Sequence, residues 1–430
     1  MLPERLDMNI MVIGGGGREY GIAKLLAGDP RVERLYALPG NGGMEEFAEC
    51  FPIKATDLDG VCAFAGEYPV DFAVVTPDDP LAMGLADRLR AMGVPCFGPS
   101  AAAARIEASK IFSKELMKKY GIPTARAERF DSLEAALGFV SNAELPLVVK
   151  ADGLALGKGV FICRTREEAE DACRELMENR LFGASGDRVL VEEFLEGPEV
   201  SVLSFTDGKT IVPMVSSMDH KTAFEGGVGP NTGGMGVIAP NPFYTEAVAE
   251  ECMERIFLPT IRAMEAEGCP FSGCLYFGLM LTKDGPKVIE YNCRFGDPEA
   301  QTVLPLMETS LLDAMLACEN GTLKETPVRF SNKAAANVVL VSGGYPGSYK
   351  KGLPISIDTP DEGTQIVHAG TKRTEEGFVT AGGRVINVVS VADTLEEAVA
   401  EAYSQVNKVS FENMFYRRDV GRTALDALAE

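Results

Sequence analysis

Residues 288–301 read VIEYNCRFGDPEAQ: an apolar strand that ends in a Gly-Asp-Pro turn and carries more charge than a buried strand needs. In an extended segment alternate side chains share a face. Val288, Glu290, Asn292 and Arg294 are therefore expected on one side, with Ile289, Tyr291 and Cys293 on the other. The first face is polar and the second belongs to a core. Glu290 and Asn292 offer a carboxylate and an amide oxygen two residues apart, hard donors suited to Mg²⁺ when phosphates and water complete its shell. Arg294, next along that face, can neutralise a phosphoryl group in transfer. The preceding strand, 275–282, turns at Lys283, Asp284 and Gly285 and bears no carboxylate, so the metal is expected to arrive with a phosphate-bearing ligand. A solvated edge strand with an incidental ion pair would explain any lone Glu-x-Asn; the neighbouring segments argue for the site.

Upstream, LPLVVKADGLALGKGVFIC (145–163) reads as two apolar strands joined by a glycine-rich loop, a hairpin lid. Lys150 ends its first strand, and Lys158 sits among glycines that let a backbone approach an anion. Gly153 and Gly157 are too close together for a Walker A loop, and no Ser or Thr follows the lysine. The helix of ASKIFSKELMKKYG carries Lys110 and is stopped by Gly121 and Pro123. Thr165 and Glu168 form a capping box for a helix to about 179. The segment VEEFLEGPEV (191–200) can pair its backbone near Glu193 and Leu195 with a base edge, and Glu199 can accept ribose hydroxyls; Glu192 and the other acids equally suit a solvated hairpin.

The 430 residues are 46% hydrophobic, enough for two to four domains. A net charge of -22 disfavours nucleic acid and anionic membranes as partners, so any phosphate must be held by local groups. The ten cysteines include no C-x-x-C pair, and with two histidines a structural zinc site is not expected. No signal peptide or apolar run of about 18 residues is present, which predicts a cytoplasmic protein.

At the start, MNIMVI runs into GGGGREYG, a strand, glycine loop and helix. Further strands at RLYAL and VDFAVVTP and a helix over 81–92 continue the alternation of a parallel sheet. The loop is read as holding a single phosphate at a helix N-terminus through Gly16, Gly17, Arg18 and Glu19. A dinucleotide site would want an acid about 20 residues after the first glycine, where this chain has Leu38, Pro39 and Gly40. DHKTAFEGGVGPNTGGMG (219–236) is too glycine-rich for a strand, and a helix is expected over 245–267. His220 reads first as a positional hydrogen-bonding group, with a general base as the alternative; Met235 reads as packing. Beyond 328, short strands precede a last helix capped by Thr394 and Glu397, and Arg417 and Arg418 read as a solvated face.

The order Lys110, Lys150, Lys158, the 193–199 segment, then Glu290 and Asn292, with a two-strand lid between, resembles the ATP-grasp superfamily. The words DHK, GPNTGGMG and NCRFGDPE are similar to those of its glycinamide ribonucleotide synthetase family, and the resemblance covers essentially the whole chain. It implies an α/β multidomain protein: an N-terminal parallel-sheet pre-ATP-grasp domain (1–101) binding phosphoribosylamine, a helical linker (102–122), a small ATP-grasp lid (123–191), a catalytic subdomain (192–327) and a β-rich C-terminal domain (328–430). It implies ATP with Mg²⁺ or Mn²⁺, and glycine and 5-phosphoribosylamine as substrates. The chain is expected to be a monomer or weak homodimer. Lys110, Lys150, Lys158, Glu192, Glu193, Leu195 and Glu199 would hold nucleotide, Glu290 and Asn292 the metal, and Lys150 and Arg294 the reacting phosphoryl group. Gly16, Gly17, Arg18, Glu19, Asp78, Asp219, His220, Lys221, Asn231, Thr232, Gly233, Gly234, Asp297 and Glu299 would line the acceptor region. The chain departs from the family pattern at Tyr20, where a histidine is usual, and at Thr76-Pro77-Asp78, where Gly-Pro-Glu is usual.

Two other readings remain at this stage: an ATP-grasp ligase for another carboxylate and amine, and a nonenzymatic ATP-binding protein of the same architecture.

Overall fold

A computed structural model describes residues 7–154, 159–181 and 183–429. The first layer is a parallel sheet in the order β3-β2-β1-β4-β5, made of β1 (Met8–Gly14), β2 (Val32–Pro39), β3 (Glu49–Cys50), β4 (Phe72–Val75) and β5 (Cys96–Phe97). Helix α1 (Gly17–Ala27) follows β1 directly, and α2 (Leu58–Glu67) precedes β4. The helix expected over 81–92 is two, α3 (Asp78–Ala82) and α4 (Leu85–Ala91), because Gly84 takes φ +88° between them.

Helices α5 (Ala101–Ala108) and α6 (Lys110–Tyr120) follow; Ser109 caps α6 and Gly121 ends it in a left-handed turn. The lid is a four-stranded antiparallel sheet, β6-β9-β7-β8, of β6 (Ala127–Phe130), β7 (Leu147–Ala151), β8 (Val160–Cys163) and β9 (Val189–Glu193). Helices α7 (Leu133–Val140) and α8 (Arg166–Met177) bury Ala136, Val140, Ala169, Cys173 and Leu176 against it. Thr165 and Glu168 make the expected capping box.

The central sheet, β11-β10-β16-β17, takes β10 (Glu199–Asp207) and β11 (Ile211–Pro213) and later β16 (Ser272–Thr282) and β17 (Gly285–Asn292). Between them the segment expected to lack strands folds as short ones: β12 (Met218–Asp219), β13 (Thr222–Phe224), β14 (Val228–Asn231) and β15 (Gly236–Ala239). Its glycines supply the turns that let β13 and β14 pair, Gly226 and Gly227 both having φ above +70°. The predicted long helix is α9 (Glu246–Cys252) and α10 (Leu258–Ala266), joined by a π-helical turn. Helices α11 (Glu299–Val303) and α12 (Leu311–Asn320) follow β17.

The C-terminal region adds β18 (Ala334–Val341), β19 (Pro354–Ile357), β20 (Thr364–His368), β21 (Thr371–Thr374), β22 (Gly377–Thr380), β23 (Arg384–Ala392) and β24 (Val409–Ser410), with α13 (Leu395–Gln405) and α14 (Arg422–Ala429). Its main sheet runs β12-β15-β18-β23-β20, so two strands from the middle of the chain complete it. The loop between β12 and β15 is thereby rooted on the C-terminal sheet. All ten cysteines are unpaired, and no helix among the described residues is long and apolar enough to cross a membrane.

Candidate active site

Strand β17 presents the metal-donor pair, but its phase differs from strict alternation. Gly278 lies opposite Glu290 and Leu279 opposite Val288, so Ile289 is an extra residue in a β-bulge. Val288 therefore packs in the same core cluster as Tyr291 and Cys293, which corrects its expected place beside Glu290. Glu290, Asn292 and Arg294 keep the other face. Gly278 is required opposite Glu290, whose Cγ lies 3.0 Å from where a Cβ would sit.

Arg294 is held from three sides. One of its nitrogens lies 2.8 Å from Glu107, 3.2 Å from Asn292 Oδ1 and 4.0 Å from Asp78. Glu107 also accepts from the Cys293 N–H at 2.8 Å, so this buried carboxylate, which no sequence motif marked, fixes both the guanidinium and the strand that carries it. Burial works against the Arg294 charge, yet Glu107 and Asp78 outweigh it and the guanidinium stays firmly protonated.

Lys150 and Lys114 form ion pairs with the two oxygens of Glu192 at 2.9 and 3.1 Å, and Lys150 also donates to Ile289 O at 3.2 Å. Glu192 is 4% exposed. Burial alone would raise its pKa, but the two ammonium groups outweigh that and hold it below the usual carboxylate range. Its place is thus beneath the lysines, tying lid strand β9 to Lys150 of β7. Lys114, one helical turn after Lys110, was missed because a lysine on an amphipathic helix ordinarily marks a solvated face. Lys110 donates to Gly153 O at 2.8 Å, and burial lowers its pKa. Lys158, the lid-loop lysine, lies outside the described residues. Glu193 pairs with the exposed Arg126 at 2.7 Å, and Leu195 follows it at the rim.

Lys221 bridges Glu199 at 3.0 Å and Glu290 at 3.6 Å. Burial would raise the Glu290 pKa, but Lys221, Lys150, Lys110 and Arg294 together hold it down and keep it a carboxylate. No cluster of three or more His, Cys, Asp or Glu that could hold a metal exists among the described residues, and the donors at hand are the Glu290 carboxylate and the Asn292 amide oxygen. That donor set, anionic and amide oxygen on one face within a ring of cations, fits a divalent ion that brings phosphate ligands of its own. Asp219 and Glu299 lie close enough to repel. Burial first, and then the neighbouring carboxylate, raises the Asp219 pKa, and burial raises that of Glu299. The Oδ1 of Asp219 is buried without a hydrogen-bond partner.

The glycine loop after β1 is built differently from its reading. Glu19 is buried, accepts from Gly16 N at 2.8 Å, and meets Arg18 Nε at 2.5 Å and the Thr76 hydroxyl at 2.6 Å. It shapes the loop from inside. Thr76, one of the departures from the family pattern, is the partner that the buried acid needs. A carboxylate stands at the N-terminus of α1: the Oδ2 of Asp297 lies 2.9 Å from where a Gly16 Cβ would be. Gln301 donates to the same carboxylate at 2.8 Å, and Arg384 lies 3.3 Å from it. Burial would raise the Asp297 pKa; Arg384 and Arg18 outweigh it. Tyr20, the other departure, is buried against Phe47 and His368.

His220 is corrected from a substrate contact. Its Nδ1 lies 3.1 Å from Gly236 O and its Nε2 accepts from Gly421 N at 3.0 Å, so both ring nitrogens are spent on backbone. Burial and then Arg417 lower its pKa to about 4, leaving a neutral ring with its proton on Nδ1. Arg417 is likewise no solvated residue: it is buried, forks onto Asp419 at 2.8 Å with both arms and donates to Thr222, whereas Arg418 is exposed. Met235 is buried with Val339 and Val341, as expected for packing. Thr232 Oγ1 donates to Lys221 O at 2.8 Å and accepts from Gly234 N at 3.0 Å, which folds Asn231–Gly234 back onto the DHK segment.

Three matches with known proteins accompany this geometry. Residues 8–107 match the phosphoribosylglycinamide synthetase N domain, 108–300 its ATP-grasp (A) domain and 335–423 its C domain. The phosphoribosylamine–glycine ligase of Halalkalibacterium halodurans is 46% identical over 419 residues, 97% of each chain. The crystal structure of the phosphoribosylamine–glycine ligase of Thermotoga maritima superposes with a TM-score of 0.84 at 34% identity, covering 96% of this chain and 100% of that one. A biotin carboxylase–beta-gamma-ATP complex from Campylobacter jejuni shares the fold at TM-score 0.75 and 12% identity.

Proposed function

The chain belongs to the phosphoribosylglycinamide synthetase family, and from that premise we propose which of its side chains carry out the family's reaction. That reaction is the ATP-dependent ligation of glycine to 5-phosphoribosylamine, giving glycinamide ribonucleotide, ADP and phosphate in purine biosynthesis. The alternatives of another amine ligase or a nonenzymatic nucleotide binder fall away with the family.

In our reading the carboxylate of glycine attacks the γ-phosphorus of ATP in line, and the amine of phosphoribosylamine then attacks the resulting glycyl phosphate and expels phosphate. Lys150, braced by Glu192, and Lys110, braced on Gly153 O, hold the phosphate chain beneath the lid. Glu193, Leu195 and Glu199 border the nucleoside at the end of β9, and Lys158 completes the lid loop. Arg294 neutralises the transferring phosphoryl group, and its bonds to Glu107 and Asn292 orient it before substrate arrives. Glu290 and Asn292 would hold Mg²⁺ or Mn²⁺, which supplies positive charge to the phosphate oxygens. Asp219 and Glu299, two buried carboxyls whose burial favours a bound proton or ammonium, hold a substrate amino group and take the proton released on amide formation. Lid closure excludes water from the acyl phosphate. The ten unpaired cysteines suit a reducing cytoplasm, and we take the working unit as a monomer or weak homodimer.

The observation that carries the reading is the shared face of Glu290, Asn292 and Arg294 inside a ring of lysines. Incubation with ATP, Mg²⁺, glycine and freshly generated phosphoribosylamine should yield the amide by mass. Lys150→Ala and Glu290→Gln should each cut turnover by roughly 10²-fold or more. Near-normal turnover in either variant would overturn its assignment.

A further inference from the structure

The loop 220–235 leaves β12 and returns at β15, two strands of the C-terminal sheet, so its base is held by that sheet. Arg384 opens β23 opposite Val341, one strand further over, and reaches back to the loop. One arm of its guanidinium donates to Gly233 O and, at 2.7 Å, to Asp297 O; the other lies 3.3 Å from the Asp297 carboxylate. Gly233 also donates its N–H to the Tyr345 hydroxyl at 3.1 Å, and the Tyr345 ring packs over Gly383. Both backbone polar groups of this one residue are thus held by C-terminal side chains. Asp297, fixed by the same arginine, lies against Gly16 at the N-terminus of α1. Gly234, the next residue, sits against Asp219 Oδ1, 2.7 Å from where its Cβ would be.

From this we propose that Arg384, assisted by Tyr345, is a positioning residue for the second half of the reaction: it sets the Gly233–Gly234 turn and the Asp297 turn in one register, so that the amine meets the acyl phosphate before water does. This rests on the reading of the acceptor region given above. The planar fork of arginine satisfies two carbonyls and a carboxylate together, which the single ammonium of lysine cannot match. The chemistry is sensitive to such placement, since attack requires the amine within about 3–3.5 Å of the carbonyl carbon and small displacements cost large factors. Lys150, Glu192 and Glu290 make none of their described bonds to Arg384, so activation of glycine by ATP is expected to survive its loss.

The test is the ratio of ADP released to amide formed, with KM for each substrate. Wild-type protein should give about one ADP per amide. Arg384→Gln should raise KM for phosphoribosylamine about tenfold, leave KM for ATP within about twofold, and push the ratio above two as glycyl phosphate is lost to water. Arg384→Lys should fall between. Tyr345→Phe, which removes one hydroxyl, should move the same quantities about threefold and serves where Arg384→Gln does not fold. A ratio that stays at one in soluble Arg384→Gln or in Tyr345→Phe, with KM for phosphoribosylamine unchanged, overturns the proposal. Wild-type protein that forms no amide at all would instead sink the underlying assignment of function.

Discussion

Two glycine-rich loops, Gly14–Gly17 and 226–236, look alike in sequence, and only the second has an open tip. In the first, every glycine is pressed against the protein's own atoms: Gly15 would place a Cβ 2.2 Å from Gly40 O, Gly16 2.9 Å from Asp297, and Gly17 2.6 Å from Gln301. In the second, Gly229, Gly233, Gly234 and Gly236 are pressed likewise, but Gly226 and Gly227 at the tip have nothing within 4 Å of a Cβ and are glycine only for their positive φ. The first loop is a packed junction where three regions of the chain meet; the second is a ribbon carried by side chains from the C-terminal sheet. A run of glycines announces close approach or a left-handed turn, and the chemistry of a site depends on which.

The sharpest way to break this comparison is Gly15→Ala. The obstructing atom is a backbone oxygen that cannot rotate away, so the variant should lose about 3 kcal/mol or more, read from urea or thermal unfolding. A loss below about 0.5 kcal/mol would mean the first loop is open after all.

The root of the second loop is tested by pH. His220 takes its proton at 6.5 when unfolded but at about 4 in the folded protein, and His368 behaves alike, chiefly through burial. Between those values the unfolded chain binds more protons, so stability present above pH 6.5 is lost as pH falls toward 4, by up to about 3 kcal/mol per ring. His220→Asn should flatten its share of that slope; an unchanged slope would show that the ring does not hold Gly236 and Gly421 as described.

The smallest effect is expected at the loop's tip. Gly226→Ala meets no atom, and only its φ of +74° resists, so it should cost about 1 kcal/mol. A larger loss would show that the tip is packed like the rest of the loop.

Much of this was legible before folding. The alternating pattern of the first hundred residues, the capping boxes at Thr165 and Thr394, and the Lys283–Gly285 turn are local events, set by neighbours in the chain, and each stands where the sequence placed it. So does the Glu290, Asn292, Arg294 face, because alternation operates over a few residues. Val288 escaped because a bulge depends on the partner strand's register. His220 was read first as a positional hydrogen-bonding group and is one, but its partner Gly421 lies 201 residues away and only packing could name it.

The sequence by itself determined most of the element types and set a carboxylate and an amide on one face of β17, since propensity, pattern and side-chain chemistry are carried by the residues themselves. Only the tertiary structure decided that Glu192 and Glu107 are braces beneath Lys150 and Arg294, that Asp297 stands at the N-terminus of α1, and that Arg384 holds a loop 151 residues earlier. Such pairings arise where buried charge must find its counter-charge, and the partner available is whichever group the packing of distant segments brings within reach.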